Sequence, residues 1–148
     1  MDKLNLPEYD HKIITEKDKK YIFDRIRNKY LKLTPEEWVR QNFIQYLIHD
    51  KKYPSSLISL EAEIKFNGLA RRYDALIYSR NGSPLMLLEF KAPGIKINQA
   101  VFDQITQYNN RFLTPYLSIS NGMTHFCCRL NSTNNYEFLK EIPEYDLL

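Results

Sequence analysis

Hydrophobic and polar residues alternate along three consecutive segments in the middle of the chain. Between residues 57 and 66 every second position is apolar, which predicts a half-exposed strand. Asn67-Gly68 and Asn81-Gly82 separate this segment from the apolar segments 71–79 and 85–91. Because Asn-Gly between apolar segments is typical of a hairpin turn, we predict an antiparallel meander of three strands.

Two further segments have the apolar spacing of amphipathic helices. The first begins with Thr34 as N-cap, has Glu37 where a capping box needs its reciprocal partner, and runs to about His49. The second runs from Asn98 to about Phe112, and Gln104 falls inside its inward-facing stripe. That amide is expected either to bond buried backbone or to face a polar cavity.

The order of these elements predicts an α/β fold. The apolar segment 115–120 follows the second helix, and a strand-helix-strand path favours parallel pairing with 85–91 through a right-handed crossover. The result is an α-β-β-β-α-β order, with a mixed sheet flanked by helices. We predict a single domain over residues 34–148, preceded by an N-terminal extension, residues 1–33, with a possible small hairpin.

Composition and charge indicate possible partners and a cellular location for the protein, but they say little about its reaction. The formal net charge is +3, which permits a polyanionic partner without requiring one. The basic residues within 1–33 are interpreted either as a solvated face or as a nucleic-acid contact surface. Adjacent Cys127 and Cys128 are expected to be reduced thiols, which indicates a cytoplasmic location. No apolar run is long enough to span a bilayer, so no membrane partner is expected.

The hairpin around Asn81-Gly82 contains the candidate chemistry. If its loop has two or four residues, the register of the two strands follows by counting, whereas a three- or five-residue loop would shift the register and separate the acidic residues. The facing pairs predicted in this way are Tyr78 with Leu85, Leu76 with Leu87, and Asp74 with Glu89.

Two carboxylates that face each other across a hairpin repel. A divalent cation between Asp74 and Glu89 would offset that repulsion. Lys91 is two residues beyond Glu89 and therefore points to the same face of the strand. An Asp, followed by Glu-x-Lys on the adjacent strand, is the arrangement of a metal-dependent phosphodiesterase. The alternative is that Glu89 and Lys91 simply emerge into solvent where the strand ends.

The chain resembles the PD-(D/E)XK nuclease superfamily, and more closely the N-terminal nuclease domain of type I restriction enzyme R subunits, in a small single-domain form. The segments that carry this resemblance are LTPEEWVRQ (33–41), RRYDALIY (71–78), LLEFKAP (87–93) and QITQY (104–108). The resemblance implies a restriction-endonuclease-like core and a Mg²⁺-dependent DNA endonuclease.

The resemblance also implies a metal site with Mg²⁺ or Mn²⁺. Asp74 and Glu89 would be ligands, with the backbone carbonyl of Phe90 as a third. Glu36, which matches the glutamate of the first helix, would hold a metal-bound water or a second ion.

Further roles concern the reacting water and the DNA. By the same resemblance, Lys91 would orient or activate the attacking water, and Gln104 and Tyr108 would position the DNA backbone or the lysine. Basic residues near these motifs are candidates to neutralise neighbouring phosphates. They are Arg40, Arg71, Arg72 and Lys96.

R subunits carry a helicase-type motor after the nuclease domain, and this sequence contains no Gly-rich phosphate-binding loop. We therefore expect the chain to act alone, to bind a motor or specificity subunit in trans, or to be a fragment. Double-strand cleavage would need two sites, so a homodimer or two successive nicks is expected. Two alternatives remain open. One is a non-catalytic nucleic-acid-binding or assembly module that retains the nuclease core. The other is an RNA-processing or repair nuclease with the same site.

Overall fold

The computed structural model describes residues 1–66, 68–109 and 114–148. Within these ranges, only the backbone is described for a few residues, namely Ala62, Ile64, Phe66, Leu69, Arg71, Tyr108 and Asn109. The described chain contains two α-helices, a three-stranded sheet and a six-stranded sheet. The predicted turn residue Asn67 and the predicted helix end at Phe112 lie outside the described residues.

The elements follow one another in the predicted order. The helices are α1 (Pro35–His49) and α2 (Gln99–Asn109). The strands are β1 (Ile13–Glu16), β2 (Lys19–Asp24), β3 (Lys29–Lys32), β4 (Ile58–Phe66), β5 (Leu69–Tyr78), β6 (Pro84–Phe90), β7 (Tyr116–Ser120), β8 (His125–Leu130) and β9 (Tyr136–Phe138).

The large sheet confirms the predicted fold class. Its strand order is β4-β5-β6-β7-β8-β9, and only β6 and β7 run parallel, joined by α2 as the crossover. One face of the sheet packs on α1, whose residues Val39, Phe43 and Leu47 are fully buried. The other face packs on α2, where Ile105 is buried. Both faces are therefore covered by helices, as expected for a sheet that contains a parallel pair.

The start of α1 follows the predicted capping chemistry in part. The Thr34 hydroxyl accepts a hydrogen bond from the Glu37 N–H at 3.0 Å, and Pro35 occupies the first helical position. The predicted reciprocal role of Glu37 in a capping box is wrong. Its carboxylate is buried and instead accepts hydrogen bonds from Arg27, Arg40 and Gln41.

The hairpin between β5 and β6 differs from the prediction at its tip. The Ser79 N–H donates to the Ser83 carbonyl at 2.8 Å, and the Gly82 N–H donates to the Ser79 carbonyl at 2.9 Å. The loop therefore has three residues, and Gly82 adopts the positive φ of +88° that such a loop needs. As a result Tyr78 lies opposite Pro84, and the predicted pairing of Tyr78 with Leu85 is wrong.

A β-bulge then restores the predicted register. Tyr78 pairs with Pro84 but Ile77 pairs with Met86, so Leu85 is an extra residue on β6. Beyond the bulge, Leu76 lies opposite Leu87, as predicted. The three-residue loop shifts the register by one position and the bulge shifts it back.

The N-terminal residues form a sheet of their own. β1, β2 and β3 make an antiparallel meander, so the segment contains the expected hairpin and a third strand. The residues before β1 bind the main domain, since the Asn5 N–H donates to the Gly122 carbonyl at 2.8 Å. The separation of residues 1–33 from the domain 34–148 stays a prediction.

Two other features of the sequence can be followed in the fold. Cys127 and Cys128 on β8 are buried free thiols, and burial raises the pKa of each to about 12. No helix among the described residues combines the length and apolar character that crossing a membrane requires.

Candidate functional site

Asp74 lies where β5 and β6 stop pairing through their backbones. The β5–β6 register pairs Ala75 with Leu88, and its continuation brings Asp74 opposite Glu89. At this point the Asp74 side chain replaces the backbone as acceptor, because its Oδ2 atom accepts a hydrogen bond from the Phe90 N–H at 2.7 Å. The Asp74 side chain is 20% exposed, and its other oxygen, Oδ1, lies 3.5 Å from Arg40 Nη2.

Glu36 reaches this region from the first turn of α1. Its side chain is about half exposed, and its pKa is raised above the usual value, first by partial burial and then by the negative charge of Asp74. The positive charges of Arg40 and Lys91 act in the opposite direction. Glu36, Asp74 and Lys91 therefore lie within electrostatic reach of one another, although they come from three different elements.

Lys91 directly follows β6 and is half-buried. Its backbone N–H donates to the Ser120 carbonyl at 2.9 Å, which continues the parallel pairing of β6 with β7. The backbone at Lys91 is thus fixed by the sheet, and its ammonium group lies close enough to lower the pKa of Glu36.

Arg40 is the cation at the centre of four carboxylates. Its Nη1 atom lies 2.9 Å from Glu37 and 3.1 Å from Glu61, and its Nη2 atom lies 3.5 Å from both Glu36 and Asp74. The side chain is only 6% exposed. This burial corrects the predicted role of Arg40 in binding DNA phosphates, because the guanidinium is enclosed by the protein's own carboxylates.

A buried polar chain connects Arg40 to the N-terminal sheet. Arg27 binds Asp24 through Nε at 2.6 Å and contacts Glu37 through Nη2 at 3.3 Å. The Gln41 amide donates to both Asp24 and Glu37, at 3.0 and 3.1 Å. Glu37 is therefore shared between Arg27 and Arg40, and the N-terminal segment helps to fix the cation beside the site.

Glu61 on β4 is a member of the cluster that sequence reasoning missed. The β4–β5 register pairs Leu60 with Ala75 and Ala62 with Tyr73, so Glu61 lies opposite Asp74. Glu61 has a φ of +54°, and its carboxylate binds Arg72 at 3.1 Å in addition to Arg40. Counting back from the predicted Asn67-Gly68 turn, as from the second hairpin, would have found it.

The remaining predicted residues divide into three groups. Gln104 is exposed, so the prediction that it lies in the inward stripe of α2 is wrong. Arg72 and Lys96 are exposed, and Arg72 is also paired with Glu61. The side chains of Arg71 and Tyr108 lie outside the described part of the structure.

The family model described as Type I restriction enzyme R protein N terminus matches residues 35–143. The chain belongs to this family. A search of the curated proteins finds no match.

The R protein N-terminus match covers the whole candidate site. It includes the first turn of α1, the meander β4–β6 and the crossover through α2. The N-terminal sheet β1–β3 lies before the matched region. Arg27, which contacts the site through Glu37, is therefore contributed from outside the part of the chain that defines the family.

The donor atoms of the site have the chemistry that a hard cation prefers. Asp74, Glu89 and Glu36 offer carboxylate oxygens, and Mg²⁺ binds oxygen ligands in proteins. Over the described ranges, no three His, Cys, Asp or Glu side chains converge into a ready metal cluster. The Arg40 contact to Asp74 is 3.5 Å, longer than the usual range of about 2.7–3.2 Å for such bonds, so Arg40 holds that oxygen weakly.

Proposed function

We propose that this R protein N-terminus family member is a Mg²⁺- or Mn²⁺-dependent endodeoxyribonuclease with a PD-(D/E)XK site. The observation that carries the proposal is the hydrogen bond from the Phe90 N–H to Asp74 Oδ2 at 2.7 Å. It fixes the Asp74 carboxylate at the junction of β5 and β6, next to Glu89 and Lys91. An acid on one strand and Glu-x-Lys on its neighbour supply carboxylates for a divalent cation and a positive charge for the phosphate.

The metal ligands in this proposal are Asp74, Glu89 and the backbone carbonyl of Phe90. Their hard oxygen donors suit Mg²⁺ or Mn²⁺. When bound, the ion supplies Lewis-acid activation of a water molecule and neutralises charge on the phosphate. Glu36, whose pKa is raised by burial and by Asp74, is suited to accept a proton from a water molecule held between α1 and the sheet.

Lys91 has the role of a fixed positive charge in the proposed reaction. Its backbone is anchored to β7 through Ser120, so the direction of its side chain is set by the sheet. An ammonium group at this position stabilises the extra negative charge that develops on the phosphate as water attacks. It also favours the deprotonated form of that water.

Arg40 and Glu61 act on the site without touching substrate. Glu37 and Glu61 hold the guanidinium through its Nη1 atom, at 2.9 and 3.1 Å, while Nη2 faces Asp74 and Glu36 at the longer distance of 3.5 Å. This arrangement allows the carboxylates to lie close together in the absence of a metal ion. The looser Nη2 contacts leave Asp74 and Glu36 available to a cation.

The proposed substrate is DNA. Arg72 lies on β5 two residues before Asp74, Lys96 lies in the segment between β6 and α2, and both side chains are exposed and able to contact DNA phosphates. The proposal includes a cytoplasmic location, and either a homodimer or a motor or specificity subunit in trans for double-strand cleavage.

One observation favours a second function, that of a non-catalytic nucleic-acid-binding or assembly module. Arg40 contacts Asp74 and Glu36, and an arginine that neutralises these acids permanently would leave no room for a metal ion. The two functions differ in whether a divalent cation displaces this contact.

A plasmid-nicking assay distinguishes the two functions. Purified protein is incubated with supercoiled DNA and Mg²⁺, Mn²⁺ or EDTA. We expect nicked circles with either metal, none with EDTA, and a loss of at least about 100-fold in Lys91→Ala, since removing one group that stabilises transition-state charge typically costs that much. Lys140→Ala, an exposed lysine outside the site, should cleave like the wild type. A wild-type protein that binds DNA but never nicks it would support the module.

A further inference from the structure

The outer face of the N-terminal sheet carries aromatic and basic side chains together. On β2, Ile22 and Asp24 are fully buried, so Tyr21 and Phe23 point to the opposite, solvent side. Neighbours directly across the strands share that side. They add Ile14 and Lys32 beside Tyr21, and Tyr30 beside Phe23.

The positive charge of the protein is concentrated in this segment. Residues 12–32 contain eight Lys and Arg against three Asp and Glu, a net charge of +5, whereas the whole chain has +3. The other residues together are therefore slightly acidic. Lys12 lies over the rings of Phe23 and Tyr30, with its Nζ atom 5.7 and 5.8 Å from their centres, so cations and aromatic rings are in contact on this face.

An open groove of about 390 Å³ lies on the same face. Its lining combines two tyrosines, an aliphatic side chain, two lysines and one carboxylate. These residues are Ile14, Glu16, Lys17, Lys19, Tyr21 and Tyr30. The tyrosine and isoleucine side chains supply the apolar part of the lining, and the two lysines come from the β1–β2 turn and the first residue of β2.

We propose that this groove binds a nucleotide unit of single-stranded nucleic acid, with the base against Tyr21 and Tyr30 and the adjacent phosphates near Lys17 and Lys19. Single strands are bound in this way by sheets that combine stacking rings with basic side chains, because every base has a face that stacks. A duplex hides those faces and would use only the lysines.

The groove is connected to the proposed nuclease site by a short, rigid path. β3 ends at Lys32 and Glu36 lies four residues later, so their Cα atoms are at most about 14 Å apart. The Arg27–Glu37 ion pair fixes the sheet to α1. A strand held in the groove is thereby kept near the site, while the family match itself begins only at residue 35.

The inference is tested by binding, in EDTA, so that a failure of cleavage does not affect it. Fluorescence anisotropy measures the affinity for labelled oligo(dT), for an abasic oligonucleotide of equal length and for a duplex. We expect oligo(dT) to bind most tightly, and Tyr21→Leu to weaken it roughly 5- to 150-fold with little effect on the abasic strand. Thermal unfolding verifies that each variant is folded.

A second variant tests the two lysines of the groove and leaves its two tyrosines unchanged. Lys17→Gln combined with Lys19→Gln should reduce the slope of log K against log salt by about 1.4, since each lost phosphate contact removes about 0.7 for single strands. Lys65→Gln with Lys140→Gln is the matched control, because it removes the same charge from exposed positions elsewhere. The proposal is overturned if oligo(dT) and the abasic strand bind equally, or if the groove variants bind oligo(dT) as the control does.

Discussion

The Phe90 N–H donates a 2.7 Å hydrogen bond to the Oδ2 atom of Asp74. This contact joins the strand that carries Asp to the strand that carries Glu-x-Lys, at the point where their backbone pairing stops at Ala75 and Leu88. The Oδ2 atom of Asp74 is therefore committed to structure, whereas Oδ1 has only the long 3.5 Å contact with Arg40. The proposed metal site uses Oδ1.

Replacing Asp74 by Asn tests whether charge or hydrogen bonding matters at this position. The Asn side-chain oxygen still accepts the Phe90 N–H, so the fold should be retained. The site loses one negative charge, and we expect Mn²⁺ binding measured by calorimetry to become undetectable. Asp103→Asn, an exposed acid on α2, is the matched control and should leave Mn²⁺ binding unchanged. Equal Mn²⁺ affinity in both variants would remove Asp74 from the metal site.

Arg40→Met should be among the most destabilising substitutions in the protein. It removes the only partner that four carboxylates share among the described residues, at a position where the side chain is 6% exposed. Leaving buried charge uncompensated costs about 3–5 kcal/mol, which urea unfolding measures. Arg72→Met, with a side chain 70% exposed, should change the free energy of unfolding by about 0.5 kcal/mol or less.

The loss of unfolding free energy in Arg40→Met should also depend on pH, and it should be smaller at lower pH. Burial and the charge of Asp74 raise the pKa of Glu36, and the charge of Arg40 opposes them, so without the guanidinium Glu36 takes up a proton more readily in the folded state than in the unfolded state. Folding is then favoured as the pH falls, so the difference from the wild type should shrink between pH 7 and pH 5. A deficit that is constant over this range would mean that the loss is one of packing.

Gly122 tests how firmly the N-terminal residues bind the main domain. A Cβ atom at Gly122 would lie 2.7 Å from Leu4 Cδ2, and φ is +84°. Gly82 has a similar φ of +88° but nothing within 4 Å, so Gly82→Ala measures the backbone cost alone, about 1–2 kcal/mol. We expect Gly122→Ala to cost about 1–3 kcal/mol more in urea unfolding. Equal costs, or no recovery in a Leu4→Ala background, would contradict this contact.

His125 should make the protein less stable as the pH falls below neutrality. Its Nε2 atom donates to the Asn5 carbonyl at 2.8 Å, and its Nδ1 atom lies 2.7 Å from the Ser120 hydroxyl oxygen. Burial lowers its pKa from the usual value of 6.5. Below pH 6.5 the unfolded chain therefore binds more protons than the folded chain, and stability is lost as the pH falls towards the folded pKa.

The measurement for His125 is the free energy of unfolding between pH 7.5 and pH 5. His125→Gln removes this titration, so its stability should fall less steeply with acidification than that of the wild type. His11, whose pKa burial also lowers, remains in both proteins and contributes equally. Parallel curves for the two proteins would show that His125 does not titrate in this range.

The order of helices and strands could be predicted because the spacing of apolar residues within each segment indicates its secondary structure. Alternation identified β4, and three- and four-residue spacings identified α1 and α2. The register of the β5–β6 hairpin could not be obtained in the same way. Asn81-Gly82 predicted a two- or four-residue loop, but the three-residue loop and the bulge at Leu85 depend on how the strands twist against their neighbours. The register beyond the bulge, whose continuation brings Asp74 opposite Glu89, was reached through two local errors that cancel.

The surroundings of the site were harder to predict than its acids. Arg40 looked like a phosphate-binding residue because arginines on helix surfaces are usually exposed. Nothing near it in the sequence indicates that Glu61 binds its guanidinium or that Arg27 binds its partner Glu37. Gln104 looked buried because its spacing matched Val101 and Ile105. α2 covers the sheet with a narrower face, and Gln104 lies outside it.

The most direct measurement of the central claim is a crystal structure of the protein soaked in Mn²⁺, with anomalous diffraction data. We expect an anomalous peak between Asp74 and Glu89, with the Arg40 guanidinium withdrawn from Asp74 and still bound to Glu37 and Glu61. A structure without that peak, in which Arg40 keeps its contact with Asp74 at saturating Mn²⁺, would exclude a metal site between these acids.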